Sequence, residues 1–477
     1  MKACLTIRFI MPLFVAAIMA GCATTDPYAP PKAGKETALD RYVRAPDPSF
    51  AWKLEKTLVA DDITQHVLNM TSQTWRTPDE VDRTEWQHWV SIAVPEKVDF
   101  DTALLFIGGG KNGNAAPDTI NEDFARMAKM TNSVIVELSM VPNQPLEFGG
   151  DGKKRTEDDL IAYTWDKFLR TGDETWPARL PMTKSAVRAM DAVQAFMASP
   201  EGGGRIINEF VVAGGSKRGW TTWTTAAVDD RVVAIVPFVI DLLNVKQSFK
   251  HHWEAYGFWA PAVGDYEASG LMDWMGTREY DKLLQQEEPY SYIDRFTMPK
   301  FIVNACGDQF FLPDSSQFYW DDLVGDKYLR YVPNAGHGLD DSDALISLIA
   351  FYHGIISDTP LPQYGWEFVG DTLVVRTPNK PLAVKYWSAT NPKVRDFRVD
   401  TAGKIWKDAA VEASPDGSYQ VTLQTPAEGW TAQMVELTFE GPGGTPLKFT
   451  TPVKVLPETL PFTYTPPSVQ PRGYLSK

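Results

Sequence analysis

Cysteine is nearly absent from this 477-residue chain, which carries three, at positions 4, 22 and 306. With two of them at the N-terminal extremity, a disulfide framework is excluded and stability must come from packing. Histidine is almost as scarce, at six residues, and no His-Glu-x-x-His motif occurs. His251-His252 with Glu254 groups ligating side chains, yet adjacent histidines on one segment rarely bind one ion. No metal and no cofactor is expected. Positive charge is in deficit, with 46 Lys and Arg against 61 Asp and Glu and a formal net charge of −15. That balance disfavours nucleic acid and anionic lipid headgroups as partners and permits a cationic substrate; the partner expected is a small-molecule or peptide substrate. Nothing in the sequence fixes an oligomeric state.

Long apolar runs are missing too. The stretch Phe9–Ala20, flanked by Lys2 and Arg8, is mainly apolar but too short to span a bilayer. It ends in Met19-Ala20-Gly21-Cys22, which resembles a bacterial lipoprotein signal with Met19 in the usual place of Leu. The expectation is a signal peptide over 1–21, lipidation of Cys22 and a Pro/Ala/Thr-rich tether over 22–39. Such a chain is exported and held by lipid facing the periplasm. Ala23, rather than an acid, follows the cysteine, which by resemblance to enterobacterial sorting rules favours the outer membrane.

What remains has ordinary globular proportions, 44% hydrophobic and 22% charged, with 16 Trp and 12% aromatic residues overall. Strand-like segments at Phe50–Val59, Ile63–Met70 and Trp86–Val94 precede an alternation of strands and helices that runs to a last helix over Asp341–Ile356. Such alternation predicts a doubly wound, mostly parallel sheet with helices on both faces. Two insertions, about 142–181 and 246–298, follow strands and are placed to form a cap. From 366 to 477 short alternating strands between Asn-Pro, Pro-Asp-Gly and Gly-Pro-Gly-Gly turns predict an immunoglobulin-like β-sandwich. Phe397–Val399 is read as one of its strands.

The chemistry centres on Val211-Val212-Ala213-Gly214-Gly215-Ser216-Lys217-Arg218-Gly219. An apolar strand breaks into glycines, delivers a serine and opens a helix, as an α/β-hydrolase presents its nucleophile. Asp308 and His337 follow in the chain order of that fold, Asp308 after an apolar strand and His337 between two glycines. Ser216 is then nucleophile, His337 base and Asp308 orienter, with Asp314 the alternative orienter. Oxyanion donors would be the amides of Lys217, at the helix start, and of Gly109 or Gly110, after the strand Ala103–Ile107. Arg218, Trp220, Trp253, Tyr256 and Trp259 are candidates for the substrate pocket. The elbow departs from Gly-x-Ser-x-Gly, because Arg218 holds the fifth place and Gly219 the sixth.

Together with Val141-Pro142-Asn143-Gln144-Pro145-Leu146, Leu180-Pro181-Met182-Thr183-Lys184-Ser185 and Tyr331-Val332-Pro333-Asn334-Ala335-Gly336-His337, these motifs resemble the PhoPQ-activated pathogenicity-related protein family. The resemblance covers the chain from about residue 40 and implies an α/β-hydrolase domain over 40–362, with Ser216, Asp308 and His337 on the triad. It also implies a link to virulence without stating a reaction. The expected function is an exported serine hydrolase of ester or peptide acyl bonds. A glucuronoyl-type carbohydrate esterase and an inactive hydrolase-fold binding or signalling protein remain as alternatives.

Overall fold

A computed structural model describes residues 36–60 and 62–476. The leader, Cys22 and most of the expected tether lie outside the described residues. The tether's end does not: Thr37 caps a helix over Ala38–Arg44, and Leu39 is fully buried in the main core.

Nine strands form one sheet: β1 (Ala51–Ala60), β2 (Ile63–Thr74), β3 (Glu85–Pro95), β4 (Thr102–Ile107), β5 (Ile135–Leu138), β6 (Glu209–Gly215), β7 (Val232–Phe238), β8 (Lys300–Ala305) and β9 (Lys327–Val332). Their spatial order is β1-β2-β3-β5-β4-β6-β7-β8-β9. Pairings from β1 to β5 are antiparallel and all those from β5 to β9 are parallel. This is the α/β-hydrolase arrangement. Central β6 is buried on both faces, which its unbroken Phe210-Val211-Val212-Ala213 run requires. Edge strand β1 instead shows Lys53 and Glu55 to solvent, a charge pattern that discourages further pairing.

Helices flank the sheet at Glu122–Thr131, Arg179–Ala198, Lys217–Val228 and Ala344–Ile356. The first insertion contains a helix that the sequence reading passed over, Glu157–Thr171. Its acidic first turn suits a helix N-terminus, and it buries Leu160, Ile161, Thr164, Trp165, Phe168 and Leu169 at helical spacing. The second insertion is built on the helices Val245–Tyr256 and Arg278–Glu287, with short 3₁₀ turns between and after them.

Beyond Tyr364 the chain forms β10 (Gly365–Val369), β11 (Thr372–Arg376), β12 (Ala383–Asn391), β13 (Lys407–Ala410), β14 (Tyr419–Thr422), β15 (Trp430–Glu440), β16 (Pro446–Thr450) and β17 (Lys454–Leu456). They make two antiparallel sheets, β10-β11-β14 and β13-β12-β15-β16, with β17 paired to β15. The expected strand at Phe397–Val399 is not one. Val399 instead starts a one-turn helix, and its amide donates to Gly307 O at 2.9 Å, which ties that loop to the large sheet. Phe449 stacks on Tyr328 at 4.7 Å and on Tyr364 at 5.3 Å, so the two regions share a core. No helix among the described residues is long and apolar enough to cross a membrane.

Candidate active site

Ser216 stands where β6 ends and the helix Lys217–Val228 begins, with φ 57° and ψ −124°. A non-glycine residue there stores about 1–3 kcal/mol of backbone strain, which the surroundings must over-determine. They do so through two close approaches. A Cβ on Gly214 would lie 2.7 Å from Arg218 O, and one on Gly219 would lie 2.9 Å from both Gly214 O and Phe238 O. These are backbone atoms that cannot step aside. Gly219 therefore does the work that the fifth-position glycine does in the simpler motif, and Arg218 is free to carry a side chain. Gly215 is different: its Cβ would meet only Val239, at 4.0 Å.

Asp308 follows β8 and His337 follows β9. His337 Nδ1 lies 2.9 and 3.0 Å from the two Asp308 carboxylate oxygens. Asp308 also accepts from the Phe310 amide at 2.8 Å, while Gln309 Oε1 accepts from the His337 amide at 2.8 Å. Phe310 packs on the imidazole with ring centroids 4.3 Å apart. The carboxylate draws the ring proton to Nδ1, which leaves Nε2 as the acceptor. That Nε2 is buried and has no hydrogen-bond partner among the described residues. Asp314 is engaged elsewhere. It pairs with His251 Nε2 at 3.1 Å and with Arg395 Nη2 at 2.5 Å.

The glycine turn after β4 lies against the elbow. Gly109 O accepts from Met140 N at 2.7 Å and Gly108 O from Val141 N at 3.1 Å, which fixes the turn's direction. The amides of Gly109, Gly110 and Lys217 donate to no backbone acceptor among the described residues.

Arg218 is not a pocket residue. Its Nε donates to Val141 O at 2.6 Å and its Nη2 to Glu157 Oε1 at 2.6 Å. It passes so close to the glycine turn that a Cβ on Gly109 would lie 2.9 Å from Nη2. Lys217 Nζ lies 2.8 Å from Glu157 Oε2 and 3.3 Å from Asp158 Oδ2, so its charge is paired rather than aimed at an oxyanion. Burial pushes the Glu157 carboxyl up, but Arg218 and Lys217 outweigh it and hold the group down at about 2. Glu157 thus gathers both cations of the elbow, and Gln144 binds it as well, at 2.6 Å.

Beside Ser216 is a small pocket of about 30 Å³, walled by Trp165, Trp220, Phe249, Tyr266 and Phe310. Of the proposed aromatic walls, Trp220 is there, with its Nε1 donating to Glu287 O at 2.6 Å. Trp253, Tyr256 and Trp259 are not. Phe249 is the residue by which the helix Val245–Tyr256 reaches the pocket, and Trp253 and Tyr256 sit one and two turns further along. There Trp253 packs on Trp259 at 5.0 Å and Tyr256 on Phe258 at 5.7 Å. Tyr266, an aromatic of the insertion expected to cap the site, is in the wall, whereas sequence reasoning missed Trp165, Phe249 and Arg179, whose guanidinium stacks on Trp220 at 3.9 Å. The apolar spacing of the 157–171 helix was the available signal for Trp165; the others depend on the cap's path.

Residues 39–398 match the PhoPQ-activated pathogenicity-related protein family. The chain belongs to that family. Its span takes in the elbow, the Asp308–His337 pair, both cap insertions and β10 to β12, and stops at Arg398. Among curated proteins, this family member is 39% identical over 460 residues to the autocrine proliferation repressor protein A of Dictyostelium discoideum, covering 89% of this chain and 92% of that one. Among solved structures it resembles acetyl xylan esterase 1 from Thermoanaerobacterium, with TM-score 0.47 and 16% identity over 67% of this chain and 92% of that one. A glucuronoyl esterase from Solibacter usitatus gives TM-score 0.36 and 14% identity over 63% and 86%.

Proposed function

We propose that this protein is a serine hydrolase acting on an ester or peptide acyl bond. The observation that carries the reading is His337, held by Asp308 through Nδ1 with Nε2 buried and unpartnered, in a fold that sets Ser216 on a strained elbow. In the reaction, Nε2 takes the Ser216 proton as Oγ attacks the acyl carbon. The Lys217 amide and the glycine turn after β4 receive the oxyanion. His337 then returns its proton to the leaving group, and water releases the acyl group from Ser216 by the same steps. Arg218 and Glu157 hold the glycine turn and the elbow at a fixed separation. A fluorophosphonate probe tests this: wild-type protein is labelled and Ser216→Ala is not. Absence of Ser216-dependent labelling in folded protein overturns it.

A second reading, a signalling protein on a hydrolase scaffold, draws on the Dictyostelium relative's name and on the small volume beside Ser216. Turnover separates the two, because a signalling scaffold needs no acyl-enzyme. The reading also includes export with lipidation of Cys22, tested by fatty-acid labelling of wild type against Cys22→Ser. The C-terminal strands are read as an immunoglobulin-like sandwich that supplies no catalytic residue.

A further inference from the structure

A cleft of about 470 Å³ opens between the cap helix Val245–Tyr256, the segment after Asp314 and the C-terminal strands β10 and β17. It shares no lining residue with the Ser216 pocket. Its size falls in the ordinary range of small-molecule sites, about 300–1,000 Å³.

One wall of the cleft is aromatic, where the edge of the core reaches the surface. Trp366 and Phe368 alternate on β10 and so project to one face of that strand. Trp366 continues the wall onto Trp320, with ring centroids 5.5 Å apart and planes tilted by 40°. Phe368 is 42% exposed at the mouth, with the Lys454 ammonium over its ring at 5.5 Å.

The floor is rigid and polar. Asp314 joins His251 to Arg395, linking the cap, the hydrolase domain and the C-terminal region in one buried array. Arg395 is 3% exposed and its Nε has no partner among the described residues. The rim is charged: Lys250 faces Glu254 at 3.5 Å, Lys454 pairs with Glu458, and Asp321 adds a further carboxylate. An anionic ligand gains no field here. One with an apolar face and a polar edge gains both walls.

We propose that this cleft is a non-catalytic binding site for a neutral oligosaccharide. Pyranose rings offer axial C–H groups to stack on Trp366 and Phe368 and equatorial hydroxyls for the amides and charges of the rim. A nonpolar peptide satisfies the wall and wastes the rim; an acidic glycan gains nothing from a lining with an excess of carboxylates. The site stands independently of the hydrolase reading, since none of its residues touches Ser216.

The test is titration of the full chain with cellohexaose, xylohexaose, mannohexaose and a uronic-acid oligomer, followed by calorimetry and tryptophan fluorescence. At least one neutral oligomer saturates the protein, and Trp366→Ala weakens that binding tenfold or more. Phe368→Ala, at an exposed position, weakens it in the same direction while the thermal midpoint stays put. Ser216-dependent probe labelling is unchanged in both variants. No binding of any neutral oligomer at millimolar concentration overturns the proposal. So does binding that survives both substitutions, binding confined to the acidic oligomer, or saturation of the cleft by an apolar peptide instead.

Discussion

Arg218 Nη2 lies 2.6 Å from Glu157 Oε1, and this contact joins the helix that follows Ser216 to the first turn of the helix Glu157–Thr171. The same guanidinium lies against Gly109, so one side chain sets the spacing between elbow and glycine turn. Misplacing an oxyanion donor by even a small distance costs about 10²-fold in rate. Arg218→Met is therefore expected to lower kcat by about that factor. Glu157→Gln should act in the same direction more weakly, because the amide keeps some hydrogen bonds. Steady-state hydrolysis of a model ester measures both, and an unchanged kcat for Arg218→Met reduces the contact to a structural tie.

On the proposed mechanism, removing Ser216 or His337 should reduce kcat by about 10⁴–10⁶-fold, leaving a small residue from the oxyanion donors. Ser216→Ala and His337→Ala are expected to fold and to be inactive. Asp308→Asn should lose far more activity than Asp314→Asn, since only Asp308 touches the imidazole of His337. Asp314→Asn should instead lose stability, by about 3–5 kcal/mol, because it breaks a buried ion-paired array. Near-normal turnover in His337→Ala would remove that residue from the mechanism.

The glycines of the elbow divide into two kinds. Gly214→Ala and Gly219→Ala drive a Cβ into backbone oxygens and should cost about 1–3 kcal/mol each, with loss of activity as the turn shifts. Gly215→Ala meets only Val239 at van der Waals distance and should be tolerated. Chemical denaturation of the three variants ranks them. Equal destabilisation of all three would mean that the turn, not the contacts, demands glycine.

Asp241, behind Asp308, accepts from Tyr319 at 2.6 Å and Tyr331 at 2.5 Å, and burial pushes its carboxyl up to about 8. A carboxyl with a raised folded pKa binds its proton more tightly folded than unfolded. Its contribution to stability is therefore full in acid, falls as pH rises from about 4 to about 8, and is level above that. Asp241→Asn keeps an acceptor for a tyrosine and removes the titration. Its stability should decline less than that of the wild type across this window. Parallel wild-type and Asp241→Asn curves of stability against pH would show Asp241 ionised throughout.

Much of this protein could be read without its tertiary structure, and the reason is periodicity. The Lys217–Val228 helix, the strands on either side of it and the chain order of Ser216, Asp308 and His337 all rest on local patterns: apolar runs, glycine punctuation and helical spacing. Those signals lie within a few residues of the atoms they describe. The sequence alone also bounded the choice between Asp308 and Asp314 to two, but distance to His337 had to decide between them.

What tertiary structure decided was every contact between segments far apart in the chain. Trp253, Tyr256 and Trp259 look like pocket walls in sequence, yet the helix that carries Trp253 and Tyr256 brings only Phe249 to Ser216. Arg218 looks like a substrate residue until Glu157, 61 positions earlier, is found beside it. The one-turn helix at Val399 is tied down by Gly307 O, which accepts its amide, and no local pattern records that contact. Backbone propensity is a property of neighbours in sequence, whereas pocket walls and charge partners are properties of neighbours in space. Only packing makes the second from the first.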